Sequence, residues 1–204
     1  RRSSDLTALA FKRWAYWRND RRNDFIAGVA RAFMQQNHEK LRKYGVPFEG
    51  DKPVLRYLPN TRVELVVANT EQAQELRKRL PEWEVLSDVP DKSKQDDRPE
   101  GAECGGTIIT EARAAKSGLD ADVLIRAGGS SGRLCFKGLP PRLEGEERRD
   151  VLLIDFSDDF DERAARDAKS RAREYEVLGW EMKSAPGKTV ICQAEALEGP
   201  SEKQ

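Results

Sequence analysis

Three stretches of the chain carry residue types suited to phosphate or metal chemistry. Pro186-Gly187-Lys188-Thr189 has the Gly-Lys-Thr ending of a phosphate-binding loop, in which backbone N–H groups and a lysine ammonium surround phosphate oxygens. Such a loop needs a glycine five positions before Gly187, after a strand and before a helix. Met182 stands there instead, and the residues after Thr189 read as a strand. Leu152-Leu153-Ile154-Asp155 has the apolar run and terminal aspartate that hold Mg²⁺ beside such loops. An aspartate at a strand's carboxyl end is common in any parallel sheet, however, and no cradle precedes this one. The chain therefore lacks the parts to hold a triphosphate and its metal by itself, and no metal site is expected. The third stretch is Arg133, which follows Gly128-Gly129-Ser130-Ser131-Gly132 just past an apolar run. α/β sheets bind ligands at such strand ends. The alternative is a solvated loop arginine. Arg126 ends the apolar run and offers a second cation at the same place.

The rest of the composition narrows the class. At 204 residues the chain is one large domain, or one domain with sizeable appendages, long enough to bury a core without disulfides. Cys104, Cys135 and Cys192 are odd in number and far apart, and there is a single histidine. Reduced thiols in a cytoplasmic compartment fit better than a zinc site or a disulfide framework. No apolar run reaches membrane-spanning length, and no signal peptide is visible. The chain starts at Arg1 rather than Met, which implies a piece of a longer polypeptide. The net charge of zero hides an asymmetry. Residues 1–50 hold 11 Lys/Arg against five Asp/Glu, leaving the remainder equally acidic. In that basic head Phe11, Trp14, Tyr16 and Trp17 are interleaved with cations. The pattern fits a nucleic-acid surface, with phosphates on the cations and bases on the rings, or equally a helix whose aromatics face a neighbouring domain.

Hydrophobic periodicity supplies the elements that must position these groups. Phe25, Ile26, Val29, Ala30, Phe33 and Met34 predict a helix from about Asn23 to Tyr44, stopped by Gly45. Residues 46–60 read as a connector. A strand over Arg62–Asn69 leads to a helix capped by Thr70, with Glu71 in its first turn and Pro81 as its stop. A short strand follows at Glu84–Leu86, then a polar, exposed and flexible loop over 87–106. Thr107–Thr110, Val123–Ala127, Val151–Phe156 and Thr189–Gln193 read as further strands, with a short helix between the first two. A charged helix covers Asp158–Leu178. Apolar strands alternating with helices predict an α/β fold with a mostly parallel central sheet covered on both faces.

With the strands in order, three segments together resemble one family. Residues 62–80 resemble the opening strand and "T-x-x-A-x-x-L" helix of the second RecA-like domain in superfamily 2 helicases, matched by Thr70, Ala73 and Leu76. Residues 107–127 resemble the family's fifth motif, a strand ending in Thr and then Gly-Leu-Asp before an apolar strand, matched by Thr110, Gly118, Leu119 and Asp120. Residues 128–138 stand where the sixth motif "Q-x-x-G-R-x-x-R" falls, and keep Gly132 and Arg133. Residues 17–33 are similar to the helix leading into this domain in DNA-translocating members. Residues 151–182 are similar to their closing strand and helix, with Tyr175, Gly179 and Trp180 as a "Y-x-x-x-G-W" ending. Three departures stand out. The step from Thr110 to Gly118 is slightly longer than in most relatives, Gly129 replaces the sixth motif's glutamine, and Phe136 replaces its second arginine.

The resemblance implies a three-layer RecA-like domain over 51–198, preceded by the basic segment 1–50 and followed by a disordered tail at 199–204. It further implies an ATP-dependent helicase or translocase, acting on DNA more readily than RNA, with ATP and Mg²⁺ held chiefly by an upstream RecA-like domain of the same polypeptide. In that reading Arg133 is the catalytic arginine finger, and Gly132, Arg126 and Asp120 complete the ATP-facing set. Thr110, Gly118, Lys116, Asn69 and Thr70 would meet the nucleic-acid backbone. The departures leave a second reading open, a helicase-like module that binds nucleic acid without hydrolysis. A third is an unrelated doubly wound domain for a small nucleotide. It is disfavoured because Ala68-Asn69-Thr70-Glu71 has no glycine-rich turn.

Overall fold

The structure, a computed structural model, describes residues 7–46, 48–49, 52–53, 61–88, 105–131, 134, 151–178, 180–184 and 189–194. The chain opens with a short helix α1 (Ala8–Lys12), runs straight into a π-helix (Arg13–Trp17), and continues through α2 (Asp20–Met34) and α3 (His38–Lys43). A two-residue hairpin, β1 (Phe48–Glu49) with β2 (Lys52–Pro53), lies in the stretch read as a connector. There follow β3 (Val63–Val67), α4 (Thr70–Arg77), β4 (Glu84–Leu86), β5 (Thr107–Thr110), α5 (Glu111–Ser117), β6 (Val123–Arg126), β7 (Val151–Phe156), α6 (Glu162–Val177), β8 (Glu181–Ser184) and β9 (Thr189–Ala194).

Seven strands make one sheet in the order β4-β5-β3-β6-β7-β9-β8. The first five are parallel, and β9 and β8 extend the β7 edge antiparallel. Successive strand residues point to opposite faces, and both faces are apolar. Val63, Leu65, Val67, Val123, Ile125, Leu152 and Ile154 pack with Ile26, Val29, Ala30 and Phe33 of α2 and Ala73 and Leu76 of α4. Val66, Ile109, Leu124, Val151 and Leu153 pack with Ala114 of α5 and Tyr175 of α6. The result is the expected three-layer α/β arrangement. Its antiparallel edge keeps the sheet mostly, rather than wholly, parallel.

The local differences from the sequence reading have identifiable causes. The helix expected over 23–44 is broken. Gln36 sits at φ 50, and the Asn37 side chain accepts from the Lys40 N–H, so a second helix starts there. The cap of α4 is Asn69 rather than Thr70, with Asn69 Oδ1 accepting from the Gln72 N–H at 3.0 Å. Asp161, with its side chain on the Arg163 N–H, starts α6 later than expected.

Gly118 ends α5 at φ 82 and ψ 178, a backbone region almost closed to residues with a Cβ. Replacing Gly118 with Ala should lower stability by about 1–3 kcal/mol, read from the urea midpoint. An unchanged midpoint would mean that the turn is not fixed in this conformation.

A candidate functional site at the carboxyl edge of the sheet

The parallel strands end side by side, and the loops after β3, β5, β6 and β7 gather at that edge. Helices α4 and α5 leave the adjacent strands β3 and β5 toward opposite faces, which opens the kind of crevice in which doubly wound sheets take ligands. Beside the crevice, Gln72 ties the ends of β3 and β6 together. Its Oε1 accepts from the Ala68 N–H beyond β3, and its Nε2 donates to the Ala127 carbonyl beyond β6, at 3.0 and 2.8 Å.

Beneath the loop that follows β6 lies a buried charged network. Arg126 and Asp155 are register partners on β6 and β7. Arg171 Nε donates to Asp155 Oδ2 at 2.7 Å, and the Tyr175 hydroxyl donates to the same oxygen at 2.7 Å. Arg126 donates to the Tyr175 oxygen at 2.8 Å and to the Ser130 carbonyl at 3.4 Å. Arg171 also reaches the carbonyls of Gly129 and Phe156. All four side chains are buried. Burial alone would raise the Asp155 pKa, but the charges of Arg171 and Arg126 outweigh it and hold this carboxyl below its ordinary value. Burial and the Asp155 charge push the Tyr175 phenol up, so it stays a proton donor. The Asp155 oxygens are thus occupied by protein donors, which accounts for this strand-end aspartate without a metal. Among the described residues, no group of three or more His, Cys, Asp or Glu is placed to share a metal ion.

A second layer covers the first. Arg22 pairs with Asp158 through Nε and Nη2 at 2.8 and 3.0 Å, and its Nη1 donates to the Ala127 carbonyl at 2.7 Å. Tyr16 packs on Gly129, where an added Cβ would lie 2.4 Å from the ring, and its hydroxyl donates to Asp167 at 3.0 Å. Phe11, Ala15, Tyr16 and Trp17 form a small core with Ala164 of α6. Three aromatics of the basic head, Phe11, Tyr16 and Trp17, therefore pack on their own domain at this edge, rather than facing a neighbouring domain, while Trp14 stays exposed.

The expected site residues are spread over the fold. Gly132 and Arg133 lie outside the described residues, as do Phe136 and the Gly187-Lys188 pair. Arg126 is fully buried and holds the Gly128–Ser130 loop from below. Asp120 lies beyond the opposite end of β6, exposed and ion-paired with Arg62, so the described structure does not bring it to Arg126. Thr110 is 4% exposed, and its Oγ1 caps α5 by accepting from the Arg113 N–H at 3.3 Å. Gly118 is the helix stop at the far end of α5, and Lys116 pairs with Asp88 at 2.9 Å. Asn69 and Thr70 stand at the carboxyl edge, beside the crevice.

One residue at the crevice went unremarked in the sequence. Glu111 follows Thr110, and its carboxylate sits where a Cβ on Gly128 would lie, 2.7 Å from Oε1. That oxygen is buried with no hydrogen-bond partner among the described residues. Burial raises its pKa against the opposing pull of Arg126, Lys12 and Arg171. An acid directly after a strand-end threonine was the available signal. No protein-family model, no curated protein and no solved structure matches this chain.

The network makes a pH prediction. Asp155 has a depressed folded pKa, so its contribution to stability is complete above the ordinary value of 3.8 and is lost as pH falls through the lower folded value. Asp155→Asn should flatten the acid limb of the urea midpoint against pH. Arg171→Ala, which strands a buried carboxylate, should cost about 3–5 kcal/mol at pH 7. Glu111→Gln has the opposite sign. Its raised folded pKa means that ionisation opposes folding, so the variant should gain stability at pH 7 and nothing at pH values well below the ordinary glutamate pKa of 4.5. Parallel profiles for wild type and both carboxylate variants would remove these groups from the account.

Proposed function

We propose that this chain is the second motor domain of an ATP-dependent nucleic-acid helicase or translocase, with DNA favoured over RNA. The observation that carries the reading is a coincidence of sequence and topology. The segments that resemble the family's opening strand and fifth motif map to β3 and β5–α5–β6, whose strands are neighbours ending at one edge, and the segment compared with the sixth motif begins in sequence where β6 ends there. In this reading the Gly128–Ser130 loop, braced from below by Arg126 and Arg171, leads directly to Arg133. ATP would lie between that loop and an upstream RecA-like domain, whose own residues hold the triphosphate and Mg²⁺. The Arg133 guanidinium would neutralise charge developing on the γ-phosphate, a contribution worth 10³–10⁵ in rate where arginine fingers have been measured. Arg126 is then a positioning residue. Asn69 and Thr70 are the residues of the nucleic-acid set that stand at the crevice, and backbone contacts made there would be independent of sequence and weaken steeply with salt. Opening and closing of the two domains around ATP would shift such contacts along the strand.

A second reading, a nucleic-acid-binding module without hydrolysis, draws on one observation. Gly129, in the place of the sixth motif's glutamine, is covered by Tyr16 and has its carbonyl taken by Arg171. ATP hydrolysis separates the two readings. The 204-residue chain alone should not turn over ATP, because its sequence has no G-x-x-x-x-G-K-[ST] segment. Expressed with the coding sequence that precedes Arg1, it should show hydrolysis stimulated by single-stranded DNA. There Arg133→Ala should lower kcat at least about a thousandfold while DNA affinity stays within about twofold. Turnover by the isolated chain would sink the motor reading. Salt-sensitive DNA binding with no ATP response in the extended protein would establish the module instead.

A further inference from the structure

The N-terminal helical segment leaves one aromatic face uncovered. Trp14 is 52% exposed and Leu9 51%, while Phe11, Tyr16 and Trp17 of the same segment are buried. The residues from Arg13 to Trp17 wind as a π-helix, closed by the Arg18 N–H on the Arg13 carbonyl at 2.8 Å. Such turns are rare and concentrate at functional sites. The exposed indole is held in place from two sides. It meets Phe160 edge-on at 6.0 Å and Phe11 at 5.9 Å. Beside it opens a hollow of ≈ 440 Å³ lined by Thr7, Leu9, Ala10, Arg13, Trp14 and Arg18.

The charge beside this ring is positive. Arg13 and Arg18 share the single carboxylate of Glu71, at 3.1 and 2.6 Å, and their side chains remain 46% and 64% exposed. Lys12 and Arg21 lie on the same short stretch. Of the three acids flanking Phe160, Asp158 is paired with Arg22 and Asp161 caps the first turn of α6, while Asp159 is exposed. Glu71 directly follows Asn69 and Thr70, so the hollow adjoins the crevice turn through which a strand is proposed to pass. A fixed, exposed indole beside cations in excess is the chemistry of single-strand binding, with a base on the ring and phosphates on the guanidinium groups.

We propose that Trp14, with Arg13 and Arg18, forms a stacking platform for an unpaired base of a single-stranded nucleic acid, continuing the path from the Asn69–Thr70 turn. This rests on the nucleic-acid reading above and adds where a base is held. The test measures binding of a short labelled oligothymidylate, and of the same strand with abasic sites, to the 204-residue chain at low salt without ATP. Wild type should prefer the strand with bases by roughly five- to a hundredfold, the range for one stacked base. Trp14→Ala should bind both strands alike, and Trp14→Phe should keep most of the preference. Changing Arg13 and Arg18 together to Gln should weaken both strands and flatten the salt dependence. A base preference retained in Trp14→Ala overturns the platform and leaves the nucleic-acid reading standing. A wild type that binds neither strand overturns both. Equal displacement of the strand by polyglutamate, with no base preference in wild type, assigns the face to an acidic protein partner and overturns the platform.

Discussion

The arrangement at the carboxyl edge depends on one buried carboxylate. Asp155 lies at the centre of the sheet's end, where an unpaired charge would cost several kcal/mol. It is tolerable only because Arg171, Tyr175 and Arg126 surround it from α6 and β6. That requirement fixes how α6 lies on β7, and which way the loop after β6 turns. Because the two arginines are also bonded to the Gly129 and Ser130 carbonyls, the glycine loop is anchored to the same group. Arg22 and Asp158 repeat the device one layer out, and Arg171 Nη2 comes within 3.6 Å of Asp158, so the layers are electrostatically continuous.

This constraint explains why a basic, aromatic N-terminal segment belongs to the fold. Arg22 reaches the Ala127 carbonyl and Tyr16 seals Gly129, while Arg13 and Arg18 tie the outer surface to Glu71 on α4. The burial of Tyr16 and the Asp167 charge push its phenol up, keeping it a donor to that carboxylate. The same segment thus has an inner face that completes the domain and an outer face with an exposed tryptophan. Glu111 sits against Gly128 beside the crevice, an acid whose pKa burial raises against the pull of Arg126, Lys12 and Arg171.

Much of the sheet was legible in the sequence. Apolar runs such as Val151–Phe156 and Thr107–Thr110 have no other use than strands buried on both faces, and their bounds agree with the structure. Neighbour relations were less legible. Insertion of β5 between β4 and β3 is a long-range choice that no local pattern encodes. The break at Gln35–Asn37 was hidden because neither glutamine is a strong helix breaker. The inward face of residues 11–17 was hidden because a π-turn does not follow the 3.6-residue period. Asp155 was visible as a strand-end acid, but its partners Arg171 and Tyr175 lie 16 and 20 residues on. Their i, i+4 spacing on one helix face was the signal that would have pointed to its structural partners. Of the ATP-facing set, Arg126 proved to be a buried brace and Asp120 lies at the other edge. The resemblance had combined residues that β6 separates.

The central claim is that this edge is half of a motor. The most direct measurement is the coding sequence upstream of Arg1, checked against the intact mass of the natural protein. The account predicts roughly one further domain there, of about 100–250 residues, containing a strand–G-x-x-x-x-G-K-[ST]–helix segment and an acidic strand end. A natural protein that begins near Arg1, or one whose upstream sequence lacks that segment, would contradict it.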